Sequence, residues 1–187
     1  YYKNKAKSKL RDMDNLKIIG ITGSYGKTSC KNILKDILSG AYNTLETPRS
    51  VNTLNGLMIV INNTLSKFDE VFIAEMGAYA KGDIKSLANL VKPKYAIITR
   101  IGLAHLSTFG SEENILEAKM ELVESLPRDG VAVLNRDDPK QVSYHIKNNC
   151  KVLWIGIDTK DEVDVKASNI KSNKQGISFD VKFKGDE

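Results

Sequence analysis

The residues with the most evident chemistry form one short run, GITGSYGKTS, residues 20 to 29. A loop that holds phosphate needs backbone N–H groups aimed inward at the start of a helix and glycines where the backbone approaches oxygen atoms. It also needs a lysine for the β and γ phosphates and a hydroxyl for magnesium. Gly23, Ser24, Tyr25, Gly26, Lys27, Thr28 and Ser29 supply all four, between a strand-like run and a helix-like one. The strict spacing G-x-x-x-x-G-K-[ST] would put its first glycine at position 21, where Ile21 stands; Gly23 opens a shorter G-x-x-G-K-T loop instead. A glycine-rich turn with an exposed lysine would show the same residues without the chemistry.

Three residues far along the chain could serve the same chemistry. Glu75 ends the apolar run VFIAEM and His105 follows the run YAIITRI, so both fall at the carboxyl edge of a parallel sheet, where ligands of open α/β sheets collect. Beside a phosphate loop, Glu75 reads as a magnesium ligand; on its own it reads as a satisfied strand end or a helix cap. Lys119 lies three or four residues from the apolar positions Ile115 and Leu122 on one helical stripe. A lysine there either snorkels outward or is buried. Burial disfavours its charge, and a neutral amine can react with carbon dioxide to give a carbamate, a carboxylate-like ligand. A lone loop histidine is otherwise a structural hydrogen-bonder, the role assigned to His145.

Strands and helices must alternate to position these residues. Near-continuous apolar, β-branched runs at 17–22, 71–76, 95–101, 131–135 and 151–157 read as strands buried on both faces. Between them, residues 27–40 read as a helix with Ile33, Leu34, Ile37 and Leu38 on one face, followed by helices in 52–65, 83–91 and 111–126, the last capped by Ser111. After about residue 160 the pattern alternates around an asparagine, lysine and glycine turn, as in antiparallel strands. The fold class is therefore α/β: a P-loop-type, mostly parallel sheet flanked by helices, with a small antiparallel sheet near the C-terminus.

Composition narrows the functions. The net charge of +5 is accounted for by Lys3, Lys5, Lys7, Lys9 and Arg11, which share the first eleven residues with no acid, so the remaining chain nets to zero. That argues against a basic nucleic-acid face on the folded body. Residues 1–15 read as a basic linker or stem that could bring a longer protein near a membrane surface. No apolar run reaches the ~18 residues of a membrane span. Cys30 and Cys150, without metal-ligand spacing, read as free thiols in a reducing, cytoplasmic compartment.

TGSYGKTS resembles the shortened loop of the Mur ligase superfamily, the ATP-dependent amide-forming enzymes of peptidoglycan precursor synthesis. EMGAYAKGDI, HLSTFGS, AKMEL and NRDD resemble the branch that adds D-alanyl-D-alanine to a UDP-N-acetylmuramoyl tripeptide. The resemblance covers about residues 16 to 157 and implies a central ATPase domain over 16–187 that continues past Glu187. It implies ATP on the loop and a first magnesium on Thr28. It also implies a second magnesium on Glu75, His105 and carbamylated Lys119, and catalysis through Lys27, Glu75, His105 and Lys119 by way of an acyl phosphate. The partners implied are ATP, a UDP-N-acetylmuramoyl peptide and a D-alanyl-D-alanine-like amine. Asn52, Thr53 and Asn55 would face the substrate, though TPRSVNTLNG only partly keeps the family's asparagine run; Tyr25 and Cys30 also depart from it. A P-loop kinase or GTPase would want the full loop spacing, and a GTPase an N-K-x-D that is not found. A sibling ligase with another carboxylate and amine, or a non-catalytic P-loop assembly module, would share much of this pattern.

Overall fold

In the computed structural model, which describes residues 1–184, α1 (Tyr2–Arg11) leads into β1 (Lys17–Thr22), α2 (Lys27–Leu38), β2 (Thr44–Glu46) and α3 (Leu54–Asn63). Then come β3 (Val71–Glu75), α4 (Asp83–Val91), β4 (Tyr95–Ile98), α5 (Leu106–Phe109), α6 (Glu112–Glu124) and β5 (Val131–Asn135). The chain ends with α7 (Pro139–Ser143), β6 (Lys151–Gly156), β7 (Val165–Asn173) and β8 (Gly176–Phe183). The domain limit expected at Glu187 lies outside the described residues. The strands make one sheet in the order β2-β3-β1-β4-β5-β6-β7-β8, parallel up to β7, with β8 antiparallel to β7. The C-terminal hairpin thus extends the edge of the main sheet, joined to it by the Ile155–Val165 and Gly156–Lys166 pairs.

Alternation along each strand sorts the core into two layers. Ile18, Phe72, Ala74, Ala96, Ile98, Ala132 and Leu134 face the larger layer, where α1, α3, α4 and α6 contribute Ala6, Leu57, Ile61, Leu87, Met120 and Leu122. Ile21, Val71 and Ile73 face the other way and are covered by Cys30, Leu34 and Leu38 of α2. Ile33 and Ile37, expected on that same face, are instead 61% and 68% exposed. The helix is rolled so that Lys31 takes the inward position, because polar acceptors wait for it beneath the helix. β2 has only three residues, too short for its period to show in the sequence. Residues 1–15, expected as a linker or stem, include a docked helix: Ala6 of α1 is fully buried and Leu10 and Met13 pack on the core, while Lys3, Lys5 and Lys7 stay exposed and the half-buried Lys9 donates to Asn62 O. No described helix is long and apolar enough to cross a membrane.

The sheet order reverses at β1, which lies between β3 and β4. Connections leaving neighbouring strands in opposite directions leave a crevice at their carboxyl ends. Residues 23–29 after β1, Glu75 at the end of β3 and residues 99–105 after β4 meet there.

Candidate nucleotide site

The segment after β4, expected to continue as strand to residue 101, turns away after Ile98 and clamps the phosphate loop. Arg100 O accepts from Ser24 N at 2.8 Å, Thr99 Oγ1 donates to Tyr25 O at 2.7 Å, and Ser24 Oγ donates to Gly102 O at 3.0 Å. Gly23 has φ +150°, and a Cβ there would stand 1.9 Å from Thr99 Oγ1, so only glycine fits. Gly26 at φ +82° starts α2 without a side-chain cap, whereas α3 and α6 are capped by Thr53 and Ser111. The first amides of α2 are thus left to an external acceptor, and the positive end of the helix dipole favours an anion.

Lys27 folds back over this loop, with Nζ 2.9 Å from Gly23 O and 3.4 Å from Ser24 O. Partial burial lowers its pKa, and Glu75 opposes that shift. Thr28 Oγ1 donates to Glu75 Oε2 at 2.9 Å, which joins the helix start to the end of β3. Glu75 is 1% exposed. Its Oε1 accepts from Asn52 Nδ2 at 3.0 Å, and its backbone N–H donates to Thr47 Oγ1 at 3.1 Å.

Across the loop, a cavity of about 40 Å³ is lined by Gly23, Ser24 and Lys27 on one side and by Asn52, Tyr79, His105 and Lys119 on the other. His105 sits at the start of α5 with φ +63°, and its ring meets the Tyr79 ring edge to face at 4.8 Å. Lys119 is 3% exposed, as its place on the apolar stripe of α6 requires. Its Nζ donates to Ala78 O at 3.5 Å and lies 5.6 Å from the centre of the Phe109 ring. Its pKa is pushed down to about 8, first by burial and then by the Lys27 charge; Asp83 and Glu121 only partly offset this. Both acids are committed elsewhere: Asp83 accepts from Tyr79 N and Ala80 N, and Glu121 from Gly82 N and Lys85 N.

The residues singled out in the sequence separate into groups. The loop, His105, Lys119 and Asn52 share one cavity, and Glu75 reaches it through Asn52. Thr53 is the α3 cap, accepting from Gly56 N at 3.3 Å, and Asn55 is exposed on the first turn of that helix; neither lines the cavity. The Tyr25 ring instead lines a second hollow of about 780 Å³ with Arg100, Asn135 and Asp137. Its ring lies where a side chain on Gly102 would project, at 2.4 Å. Asp137 and Asp138 are structural. Asp137 accepts from Ile157 N, Asp158 N and Thr159 N, while Asp138 caps α7 and accepts from Ile101 N at 2.8 Å. Cys30 and Cys150 are free thiols. The residue that sequence reasoning missed is Lys31, fully buried 3.5 Å from Glu75 Oε2. The four-residue step from Lys27 was a signal for it, but the stronger apolar pattern of Ile33 and Ile37 masked it.

The model of the Mur ligase middle domain matches residues 21–187. The chain belongs to the Mur ligase family. Among curated relatives, the UDP-N-acetylmuramoyl-tripeptide–D-alanyl-D-alanine ligase of Bacillus subtilis is 32% identical over 95% of this chain and 37% of its own length. The enzyme of that name from Escherichia coli is 30% identical over 87% of this chain and 36% of its own length. Among solved structures, the MurF ligase of Thermotoga maritima in complex with ADP superposes with a TM-score of 0.86 at 29% identity, covering 96% of this chain and 41% of that one. This Mur ligase domain therefore spans less than half the length of these relatives.

Proposed function

We propose that this Mur ligase domain binds ATP with magnesium and supplies the phosphate-activating half of an amide ligase that joins a UDP-N-acetylmuramoyl peptide to a D-alanyl-D-alanine-like amine in the cytoplasm. The observation that carries the reading is the cavity in which Lys119, buried and without a committed counter-ion among the described residues, faces Lys27 and the uncapped start of α2. Lys27 and the positive end of the α2 dipole converge there, which suits a polyphosphate, while Lys119 stands across the cavity from them. The likeness to a ligase solved with ADP supports the nucleotide, and the likeness to UDP-N-acetylmuramoyl-tripeptide–D-alanyl-D-alanine ligases supports the substrates.

In this reading the amides of Lys27, Thr28 and Ser29 receive phosphate oxygens, and Lys27 exchanges its two loop carbonyls for the β and γ phosphates. Thr28 Oγ1 and Glu75 Oε2, 2.9 Å apart, are hard oxygen donors of the kind magnesium takes. When bound, the metal would neutralise charge building on the transferred phosphate. The substrate carboxylate attacks the γ phosphorus and ADP leaves; the amine nitrogen then attacks the acyl carbon and phosphate leaves, giving the amide. The domain's task is positioning and charge neutralisation.

For a second metal, the described residues hold no group of three or more His, Cys, Asp or Glu side chains placed to bind one. We assign the missing donor to Lys119 as a carbamate, which would exchange an uncompensated ammonium for a carboxylate-like anion between Lys27 and His105. The basic α1 lies outside this reaction, and any approach to a membrane would use its outer lysines. Incubating the chain with ¹³C-bicarbonate should give a carbamate carbon signal that is absent in Lys119→Ala. A spectrum identical for both chains would remove the carbamate from the proposal.

A further inference from the structure

Lys31 is fully buried on α2, and the reaction above makes no use of it. It follows Thr28 by three positions, so both side chains leave the same face of the helix. Its ammonium donates to Thr47 O at 2.6 Å and to Arg49 O, and it pairs with Glu75 Oε2 at 3.5 Å. Three protons thus meet three acceptors. The two carbonyls flank Pro48 in the connection from β2 to α3, where Arg49 holds a left-handed backbone with φ +49°.

That connection ends at Asn52, whose Nδ2 donates to the other oxygen of Glu75 and whose backbone oxygen accepts from Gly77 N at 2.8 Å. Thr47 contributes a third tie through its hydroxyl to Glu75 N. Among the described residues outside that connection, Lys31 is the one whose side chain bonds both to it and to the carboxylate it serves. Without its ammonium, the carbonyls of the buried Thr47 and of the more exposed Arg49 lose this donor, and the Glu75 Oε2 that meets Thr28 loses its cation.

We propose that Lys31 is a positioning residue for the metal-nucleotide site. It locks residues 47–52 against Glu75, so that the Thr28–Glu75 oxygen pair and the Asn52 amide stand assembled before ligand arrives. The proposal rests on the phosphate-loop reading given under Proposed function. It separates two kinds of binding: the Lys31 ammonium bonds to Thr47 O, Arg49 O and Glu75 Oε2 and not to the phosphate loop, whereas the donors suited to magnesium depend on it.

The test is calorimetric titration of ADP into the whole chain, with magnesium and again in EDTA, for the unaltered protein and for Lys31→Met, with circular dichroism to establish that the variant folds. ADP affinity in EDTA should be unchanged, while the gain conferred by magnesium should fall at least ~10-fold, the usual cost of losing a residue that orients a metal ligand. An unchanged magnesium gain in a folded Lys31→Met protein overturns the proposal and leaves the phosphate-loop reading intact. If the unaltered chain binds no ADP, the phosphate-loop reading is what fails, and the proposal falls with it. Should Lys31→Met not fold, ¹⁵N NMR of the unaltered chain decides. Magnesium with ADP must shift the Lys31 Nζ and Asn52 Nδ2 signals together, and signals that stay in place overturn the proposal.

Discussion

Lys119 shows how a single residue's environment becomes a measurable property. Its folded-state pKa of about 8 lies below the ordinary 10.5, so the unfolded chain binds more protons between those values and stability rises with pH across that window. Below pH 8 the ammonium costs the fold a constant amount, on the order of 3 kcal/mol. Urea denaturation in carbonate-free buffer should therefore show stability increasing from pH 8 to 10, and Lys119→Met should remove that increase while stabilising the fold at pH 7 by about 1–3 kcal/mol. A Lys119→Met protein with the same pH slope would contradict the assignment. Gly23 gives the opposite case. A methyl at φ +150°, 1.9 Å from Thr99 Oγ1, should cost at least about 2 kcal/mol in the same denaturation assay and displace the loop from Thr99.

At the scale of elements, α2 shows what sequence can and cannot reveal. Its start was legible because glycines, lysine and threonine have a local meaning that any loop of this kind must satisfy. Lys119 was legible because α6 has a regular stripe that passes through it. The inward face of α2 was not legible, since Ile33 and Ile37 carry a helical apolar pattern while Lys31 turns inward for carbonyls at Thr47 and Arg49 that no local window contains. The energetic consequence is testable: Ile33→Lys should change thermal stability by less than about 0.5 kcal/mol, whereas Leu34→Ala, on the buried side, should cost about 1–2 kcal/mol. Ser111, expected to cap α6, does so by accepting from Asn114 N, and Ser111→Ala should cost about 1 kcal/mol. The sharp end of β4 escaped sequence reasoning, because Thr99 and Ile101 continue the strand's pattern but their bonds go to the phosphate loop and to Asp138.

Across the whole molecule, the order of the sheet joins these local features. Placing β1 between β3 and β4 brings residues separated by up to about eighty positions to one edge; the strand runs put Glu75 and His105 at that edge in the sequence, while the strand order itself had no local signal. Stability should follow the same geometry. β1, β3 and β4 are covered on both faces, while the β7–β8 hairpin meets the sheet through two residue pairs and exposes Ile177, Phe179 and Phe183. Hydrogen exchange should be slowest in β1 and β3 and faster in the hairpin, which would open without the rest. Comparable protection throughout would show that the sheet unfolds as one unit. Whether the loop between β1 and α2 is a nucleotide site is decided by calorimetric titration of magnesium with ADP into the unaltered chain and into Lys27→Ala. Binding to the first should be saturable, and affinity should fall at least ~10-fold with the second; equal affinity for both proteins would contradict a nucleotide site there.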